Sequence, residues 1–337
     1  MFNPMKIYIE AGVEDHPFTK RILSKLPDTP IEIVNDYKKI GFEKSFTQRA
    51  DSDKNCLALA EKKGDLIKNI GRMGEGQYYL FHEIDCRYDC EYCYLQYYFQ
   101  TKVPVVFVNR DDVLSEIENI LKNEENPYFH VGEVCDSLAF DDLTGFSGDV
   151  AELFLRYQNG KIEFRTKSTN VGNLVSMNTI ASNIIPSWTL SPGIVAETLE
   201  HKTPPPNERI IAAKKCQQAG YTVGIRLDPV FRFNGWEEHY RDMVSKIFKE
   251  LDPGRIDYIS LGSVKLHKNL MEAVGKRFPQ SMVILEELVS GEDGKYRPLK
   301  FERVDMYRKM IGWIETFAPG LDVKLSLESR DVHELVY

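Results

Sequence analysis

From about residue 77 onward, apolar positions follow two alternating rhythms. Short strand-like runs recur at 78–84, 128–134, 161–166, 184–190, 221–227 and 256–261. Stretches with helical spacing separate them at 111–122, 149–157, 207–219, 236–251 and 268–278. Strands and helices joined by short turns such as Ala219-Gly220-Tyr221 require crossover connections and a parallel sheet. Six such units predict an α/β fold, a partial (β/α)6 barrel of the TIM type in preference to an open doubly wound sheet. Barrels of this type carry their chemistry on loops at the carboxyl ends of the strands.

The two ends of the chain keep a different rhythm. Residues 5–75 read as a small α/β unit, with a strand at 6–10, a helix near 16–25 and a second strand at 31–34. A polar loop at 44–54 and a turn at Lys62-Lys63-Gly64-Asp65 follow. Beyond residue 281, strands at 283–289 and 323–327 are expected to flank a tight turn at Gly291-Glu292-Asp293-Gly294 and an amphipathic helix at 304–317. The expected division is an N-terminal unit at 1–75, a barrel at 76–281 and a C-terminal extension at 282–337 that includes a hairpin at 289–300.

Composition narrows the function classes only modestly. With 42% hydrophobic and 28% charged residues, the chain of 337 residues has the make-up of a globular protein. No apolar run approaches the ~20 residues needed to span a bilayer. The start, Met1-Phe2-Asn3-Pro4-Met5-Lys6, lacks an export-type pattern. Six cysteines are too sparse for a disulfide framework, so a reducing, cytoplasmic setting is expected. A net charge of −8 argues against broad non-specific binding to nucleic acid, which rests on phosphate neutralisation. A local basic groove remains compatible with it.

Candidate chemistry concentrates in one loop. Asp85-Cys86-Arg87-Tyr88-Asp89-Cys90-Glu91-Tyr92-Cys93-Tyr94 spaces its cysteines C-x3-C-x2-C, directly after the first strand of the barrel series. Three soft thiolates can hold three irons of a cubane [4Fe–4S] cluster and leave the fourth iron open to an outside ligand. A zinc site is the rival reading. It needs a fourth ligand, and His82 lies four residues upstream of Cys86. The cluster suits the spacing better.

In this context the loop resembles the radical S-adenosylmethionine superfamily, and the surrounding segments narrow the resemblance to the spore photoproduct lyase family. Cys90-Glu91-Tyr92-Cys93-Tyr94-Leu95-Gln96 is similar to that family's loop, with Glu91 where the family has histidine. Glu133-Val134-Cys135-Asp136-Ser137 followed by Phe140-Asp141-Asp142-Leu143-Thr144 resembles the segment around its hydrogen-donating cysteine. Phe164-Arg165-Thr166-Lys167, Asn207-Glu208-Arg209, Asp228-Pro229-Val230-Phe231-Arg232 and Gly235-Trp236-Glu237-Glu238 follow in the family's order.

The resemblance implies a radical S-adenosylmethionine carbon–carbon lyase that repairs DNA. Its lesion would be 5-thyminyl-5,6-dihydrothymine, the spore photoproduct, and its cofactors a [4Fe–4S] cluster and S-adenosyl-L-methionine. The cluster reduces the sulfonium to give a 5′-deoxyadenosyl radical, which takes a hydrogen from the lesion so that the methylene bridge breaks. Carried over by position, Cys86, Cys90 and Cys93 hold the cluster, and Cys135 returns a hydrogen atom to the thymine radical. Tyr92 packs near adenine, and with Tyr94 it relays the radical back toward the cofactor. Aromatic packing is the plainer reading of both tyrosines. Lys167 contacts the cofactor carboxylate, Glu133 its ammonium, and Ser191 its polar groups. Each of these three residue types is also common at strand ends.

For DNA, Tyr296 and Arg297 form a wedge-and-phosphate element, while Arg226, Arg232 and Lys265 meet phosphates at the barrel mouth. A surface hairpin with ordinary charges is the alternative for the first pair. An electron donor such as flavodoxin or ferredoxin is implied, with no membrane partner and a monomeric chain. Cys56 and Cys216 match nothing and are expected to be packing residues. Departures from the family fall around the substrate. Asp136 replaces a small hydroxyl residue, Asp142 replaces histidine, and Thr189-Leu190-Ser191-Pro192-Gly193 replaces a serine–asparagine sequence. They keep open a related enzyme acting on another base lesion or substrate, and a metal-stabilised nucleic-acid-binding protein without turnover.

Overall fold

A computed structural model describes residues 1–41, 53–71, 76–285, 287–291 and 293–337. The loop expected at 44–54 therefore lies largely outside the described residues, as does Glu292 of the expected turn. The chain forms two compact units. One comprises residues 1–89 and 95–185, the other residues 90–94 and 186–337.

In the first unit a five-stranded sheet runs in the order Ile31–Val34, Lys6–Glu10, Cys56–Ala60, Val105–Phe107, Glu83–Ile84. Its pairs are parallel except the last. Position decides burial. The central strand Cys56–Ala60 is buried throughout, whereas Ile31 and Ile33 on the edge strand stay half exposed. A second set of strands places Ile67–Asn69 antiparallel to Gln77–Leu80, followed in parallel by Tyr128–Val131 and Lys161–Thr166. The helix Arg110–Asn123 buries Val113, Ile117 and Leu121, one apolar stripe at four-residue steps. Burial of each contributes about 1.5–3 kcal/mol.

In the second unit Ile184–Thr189, within which the division between the units falls, pairs in parallel with Val223–Val230. Ile256–Ser263 and Val323–Leu325 continue the series in parallel. Pro206–Ala219, Trp236–Glu250 and Lys300–Phe317 are its long helices. The expected hairpin forms: Val289–Ser290 pairs antiparallel with Lys295–Arg297, which also pairs with Leu266–His267. Among the described residues no helix is long and apolar enough to cross a membrane.

Two sequence expectations need correction. The strand expected at 78–84 splits, since Gln77–Leu80 pairs beside Tyr128–Val131 while Glu83–Ile84 joins the five-stranded sheet. His82, at the break, is buried with its ring stacked on Phe146. The chain thus changes sheets just where Glu83, buried directly after His82, breaks the strand alternation. The strand expected at 283–289 begins instead as the helical turn Met282–Leu285. The Ser281 hydroxyl accepts from the Val283 backbone at 3.2 Å, an N-terminal cap that favours a helical start over a strand.

Candidate active site

The cysteine loop begins at a strained, buried residue. Asp85 has φ 63°, a conformation that Asp adopts more readily than most side chains. Its backbone N–H donates to Val134 O at 2.8 Å, and it forms a bridge with Cys135. Its carboxylate receives the Lys54 ammonium at 3.0 Å, and the same ammonium donates to the Cys86 carbonyl at 2.6 Å. One buried cation therefore fixes the first cysteine of the motif. The Tyr88 backbone N–H in turn points at Cys86 Sγ, 3.4 Å away.

Cys135 reaches this place through Gly132. That glycine has φ 104°, and a Cβ there would lie 2.5 Å from Arg165 O. Only glycine lets the chain turn after Tyr128–Val131 so close to its neighbour. Burial, followed by the charges of Glu83, Asp136 and Cys86, pushes the Cys135 thiol well up, so it stays an S–H.

Of the acids in these segments, Asp136 and Asp141 are buried and Asp142 is partly exposed. Asp136 is buried and accepts from Thr166 Oγ1 at 2.6 Å, Lys167 N at 2.7 Å and Leu138 N at 3.2 Å. Asp141 accepts from both the backbone and the hydroxyl of Ser147 and from Asn173. Asp142 accepts from the Phe2 backbone N–H. These carboxylates tie loops together rather than forming an exposed acidic patch. Glu133 pairs with Arg165 at 3.1 Å. Arg165 also holds Glu163, which in turn contacts His130. Lys167 follows the strand Lys161–Thr166, anchored through its backbone by Asp136.

In the second unit, residues 90–94 are organised around Glu200. The Glu91 backbone N–H donates to Leu199 O at 2.8 Å, and the Glu91 carboxylate meets His201 at 2.7 Å. The Tyr92 hydroxyl hydrogen-bonds Glu200, and the Tyr92 ring packs on Phe231 at 5.3 Å. The Ser191 hydroxyl donates to the same carboxylate at 2.7 Å, and the buried Arg209 guanidinium meets it at 2.6 Å. Arg209 also donates to Thr203 Oγ1, Pro204 O and Thr189 O. Burial and the Glu200 charge push the Tyr92 phenol well up. Two expected site residues, Tyr92 and Ser191, thus converge on a glutamate that sequence reasoning passed over. The available signal was Arg209, a charge at a buried position of the helix Pro206–Ala219 that demanded a carboxylate partner. Tyr94 lies two residues on, partly buried.

The cations expected at phosphates have carboxylate neighbours here. Arg226 meets Asp228 at 3.2 Å, Arg232 meets Glu302 at 2.7 Å, and Arg297 meets Asp293 at 2.6 Å. Lys265 donates to Ser326 O at 2.7 Å with Glu328 at 3.6 Å, and burial pulls its ammonium down. Tyr296 sits mid-strand in Lys295–Arg297, opposite Leu266 and Ser290. Cys56 and Cys216 are buried, and burial pushes the Cys216 thiol up to about 12. None of the six cysteines is disulfide-bonded.

Comparison with known proteins fits this arrangement. A family profile described as "Spore photoproduct lyase" matches residues 2–315. The spore photoproduct lyase of Bacillus subtilis (strain 168) is 24% identical, covering 96% of this chain and 98% of its own. That of Clostridium acetobutylicum is 22% identical, with 84% of each chain covered. A solved spore photoproduct lyase complexed with dinucleoside spore photoproduct superposes with a TM-score of 0.85 at 22% identity, covering 96% of this chain and 99% of the other. A mutant spore photoproduct lyase with bound AdoMet and dinucleoside spore photoproduct gives 0.83 at 21% identity, covering 96% and 98%. The chain accordingly has the mixed α/β fold of the solved spore photoproduct lyases. With a family profile spanning nearly all of its length, the chain belongs to the spore photoproduct lyase family.

Proposed function

We propose that this chain is a radical S-adenosylmethionine lyase that reverses spore photoproduct in damaged DNA, with Cys135 as its hydrogen donor. The observation that carries the donor role is the bridge between Asp85 and Cys135, which sets a buried thiol beside the residue that opens the cysteine loop. Three closely spaced cysteines, none in a disulfide and one receiving a backbone N–H, fit a [4Fe–4S] cluster held by Cys86, Cys90 and Cys93. When bound, the cluster and S-adenosylmethionine supply the hydrogen-abstracting radical chemistry.

The chain's own residues do the rest. Lys54 and Asp85 fix Cys86. Glu200, steadied by Arg209 and Ser191, holds the Tyr92 hydroxyl and with it the far end of the loop. Cys135 keeps its S–H because burial and neighbouring carboxylates disfavour the thiolate, and a hydrogen atom rather than a proton is what the thymine radical needs. Lys167 and Glu133 offer opposite charges for the amino-acid end of the cofactor. Tyr92 and Tyr94 are placed within the cluster loop itself for radical return. Arg226, Arg232, Lys265 and Arg297 serve the DNA by exchanging carboxylate partners for phosphates, and Tyr296 serves it as a wedge. A flavodoxin- or ferredoxin-type donor supplies the electron, and the enzyme works in the cytoplasm as a monomer.

Anaerobic incubation with dinucleotide spore photoproduct, S-adenosylmethionine and reductant tests the reading. Unmodified thymines should be released. Formation of 5′-deoxyadenosine while the dimer survives intact would refute the substrate assignment. Cys135→Ala should keep forming 5′-deoxyadenosine but divert the lesion to by-products, and an unchanged product distribution removes the donor role.

A further inference from the structure

Two buried side chains of the first unit that the chemistry above leaves unused, His82 and Glu83, converge on Cys135. His82, Glu83 and Cys135 are 3%, 1% and 5% exposed. One ligand atom from each, an imidazole nitrogen, a carboxylate oxygen and the sulfur, lies within 4.8 Å of the other two. Among the described residues, neither ring nitrogen of His82 has a hydrogen-bond partner, and neither does Glu83 Oε2. The nearest approach within the pair is His82 Nε2 to Glu83 Oε1 at 3.8 Å. Buried polar atoms left in this state cost about 1–3 kcal/mol each. One His82 nitrogen and one Glu83 oxygen gathered around the Cys135 sulfur call for a shared partner.

The donor set identifies that partner's class. Imidazole and thiolate select a borderline-soft transition ion over magnesium or calcium, and a carboxylate is an accepted third ligand of zinc. Charge also balances, since one thiolate, one carboxylate and a neutral imidazole neutralise a divalent ion. Burial, followed by the charges of Asp141, Asp136 and Asp142, holds the Glu83 carboxyl well above the usual carboxylate range, so an ion there would take the place of a proton on the acid. The ring of His82 is held by Phe146, stacked 4.2 Å away at 14°, which occupies a ring face and leaves the edge nitrogens available. Ligands of tetrahedral zinc sit roughly 3.3–3.8 Å apart, so these atoms need to close by about 1 Å on binding.

We infer that His82, Glu83 and Cys135 form a binding site for a zinc-type divalent ion, separate from the cluster cysteines, with a fourth position for water. On binding, the thiol gives its proton to solvent and the sulfur becomes a metal-bound thiolate. The sulfur then has no S–H to donate, so an ion at this site switches off hydrogen return. This last consequence rests on the donor role assigned to Cys135 above, while the site itself does not.

The test uses cluster-reconstituted protein, equilibrated anaerobically with zinc chloride and desalted. Zinc and iron are counted per chain, and the zinc environment is read by X-ray absorption. Wild type should retain one zinc with no loss of iron, with one sulfur at ~2.3 Å and nitrogen or oxygen at ~2.0–2.2 Å. His82→Phe preserves the stacked ring and Glu83→Gln the shape of the acid. Each should weaken zinc binding at least tenfold while the circular-dichroism melt stays cooperative, and if either fails to fold the other carries the test. No retained zinc, three sulfurs around it (zinc in the cluster loop), or wild-type affinity in a folded variant overturns the site. Zinc-loaded wild type should still form 5′-deoxyadenosine yet lose thymine release, and His82→Phe should resist that loss. Zinc bound through one sulfur with thymine release intact would overturn the switching and the donor role and leave the site standing.

Discussion

Replacing Lys54 by methionine isolates what holds the cysteine loop. Lys54 and Asp85 are almost fully buried, with side-chain exposures of 3% and 0%, and meet at 3.0 Å. At an effective dielectric of about 20, unit charges at that separation attract by roughly 5–6 kcal/mol. Much of this offsets the desolvation of both groups, so the intact pair adds little net stability. Removing one partner is different, because the remaining carboxylate stays buried without its counter-charge. That costs about 3–5 kcal/mol. Methionine also withdraws the donor from the Cys86 carbonyl. With a urea dependence of about 3 kcal/mol per molar, a loss of about 4 kcal/mol moves the unfolding midpoint down by roughly 1.3 M.

The Lys54→Met/Asp85→Asn double variant should recover more than half of that shift, since asparagine tolerates the positive φ of residue 85 and carries no charge. Anaerobic urea titrations followed by circular dichroism supply the numbers. Iron content after reconstitution should fall in the single variant, because Cys86 loses its anchor. A midpoint within about 0.3 M of wild type, or a double variant no better than the single, would refute the account of this pair.

Glu200→Gln should cost about 3–5 kcal/mol by stranding the buried Arg209 guanidinium, whereas Glu200→Gln combined with Arg209→Gln should cost less. Denaturation midpoints of the three proteins decide it. Asp136→Ala leaves Thr166 and the Lys167 and Leu138 amides without their acceptor and should cost about 2–4 kcal/mol. Asp136→Asn, keeping one acceptor oxygen, should cost less by the same measurement. For Cys216, burial raises the folded-state value from 9.0 to about 12. Its stabilising contribution is therefore complete below about pH 9 and is lost as pH rises toward 12, at most roughly 4 kcal/mol. Stability measured from pH 8 to 11 should fall less steeply in Cys216→Ala, and the native thiol should resist iodoacetamide at pH 8. Equal slopes, or rapid alkylation of folded protein, would contradict this.

Much of this protein was legible in one dimension. Helices at 110–123, 206–219 and 236–250 announce themselves because a buried stripe must recur every three or four residues whatever it packs against. The three cysteines of one loop carry their chemistry in their spacing, since soft ligands that close together need no long-range information. Pairing across sequence distance was not legible. Glu200 and Lys54 read in sequence as ordinary surface polarity, while Tyr92, Ser191 and Asp136 read as neighbours of cofactor or substrate with no hint of their partners inside the fold. The tertiary structure made them internal, where low dielectric turns each charge into a demand for a specific partner. The break at His82 belongs to the same class. Residues 78–84 alternate well enough for one strand, and only the competition between two sheets for the same segment splits it. Local pattern thus determined the elements and the cofactor-type motif. Which polar groups were buried together, and so what Cys135 faces, was decided by packing, because desolvation acts on neighbours in space and leaves no period in the chain.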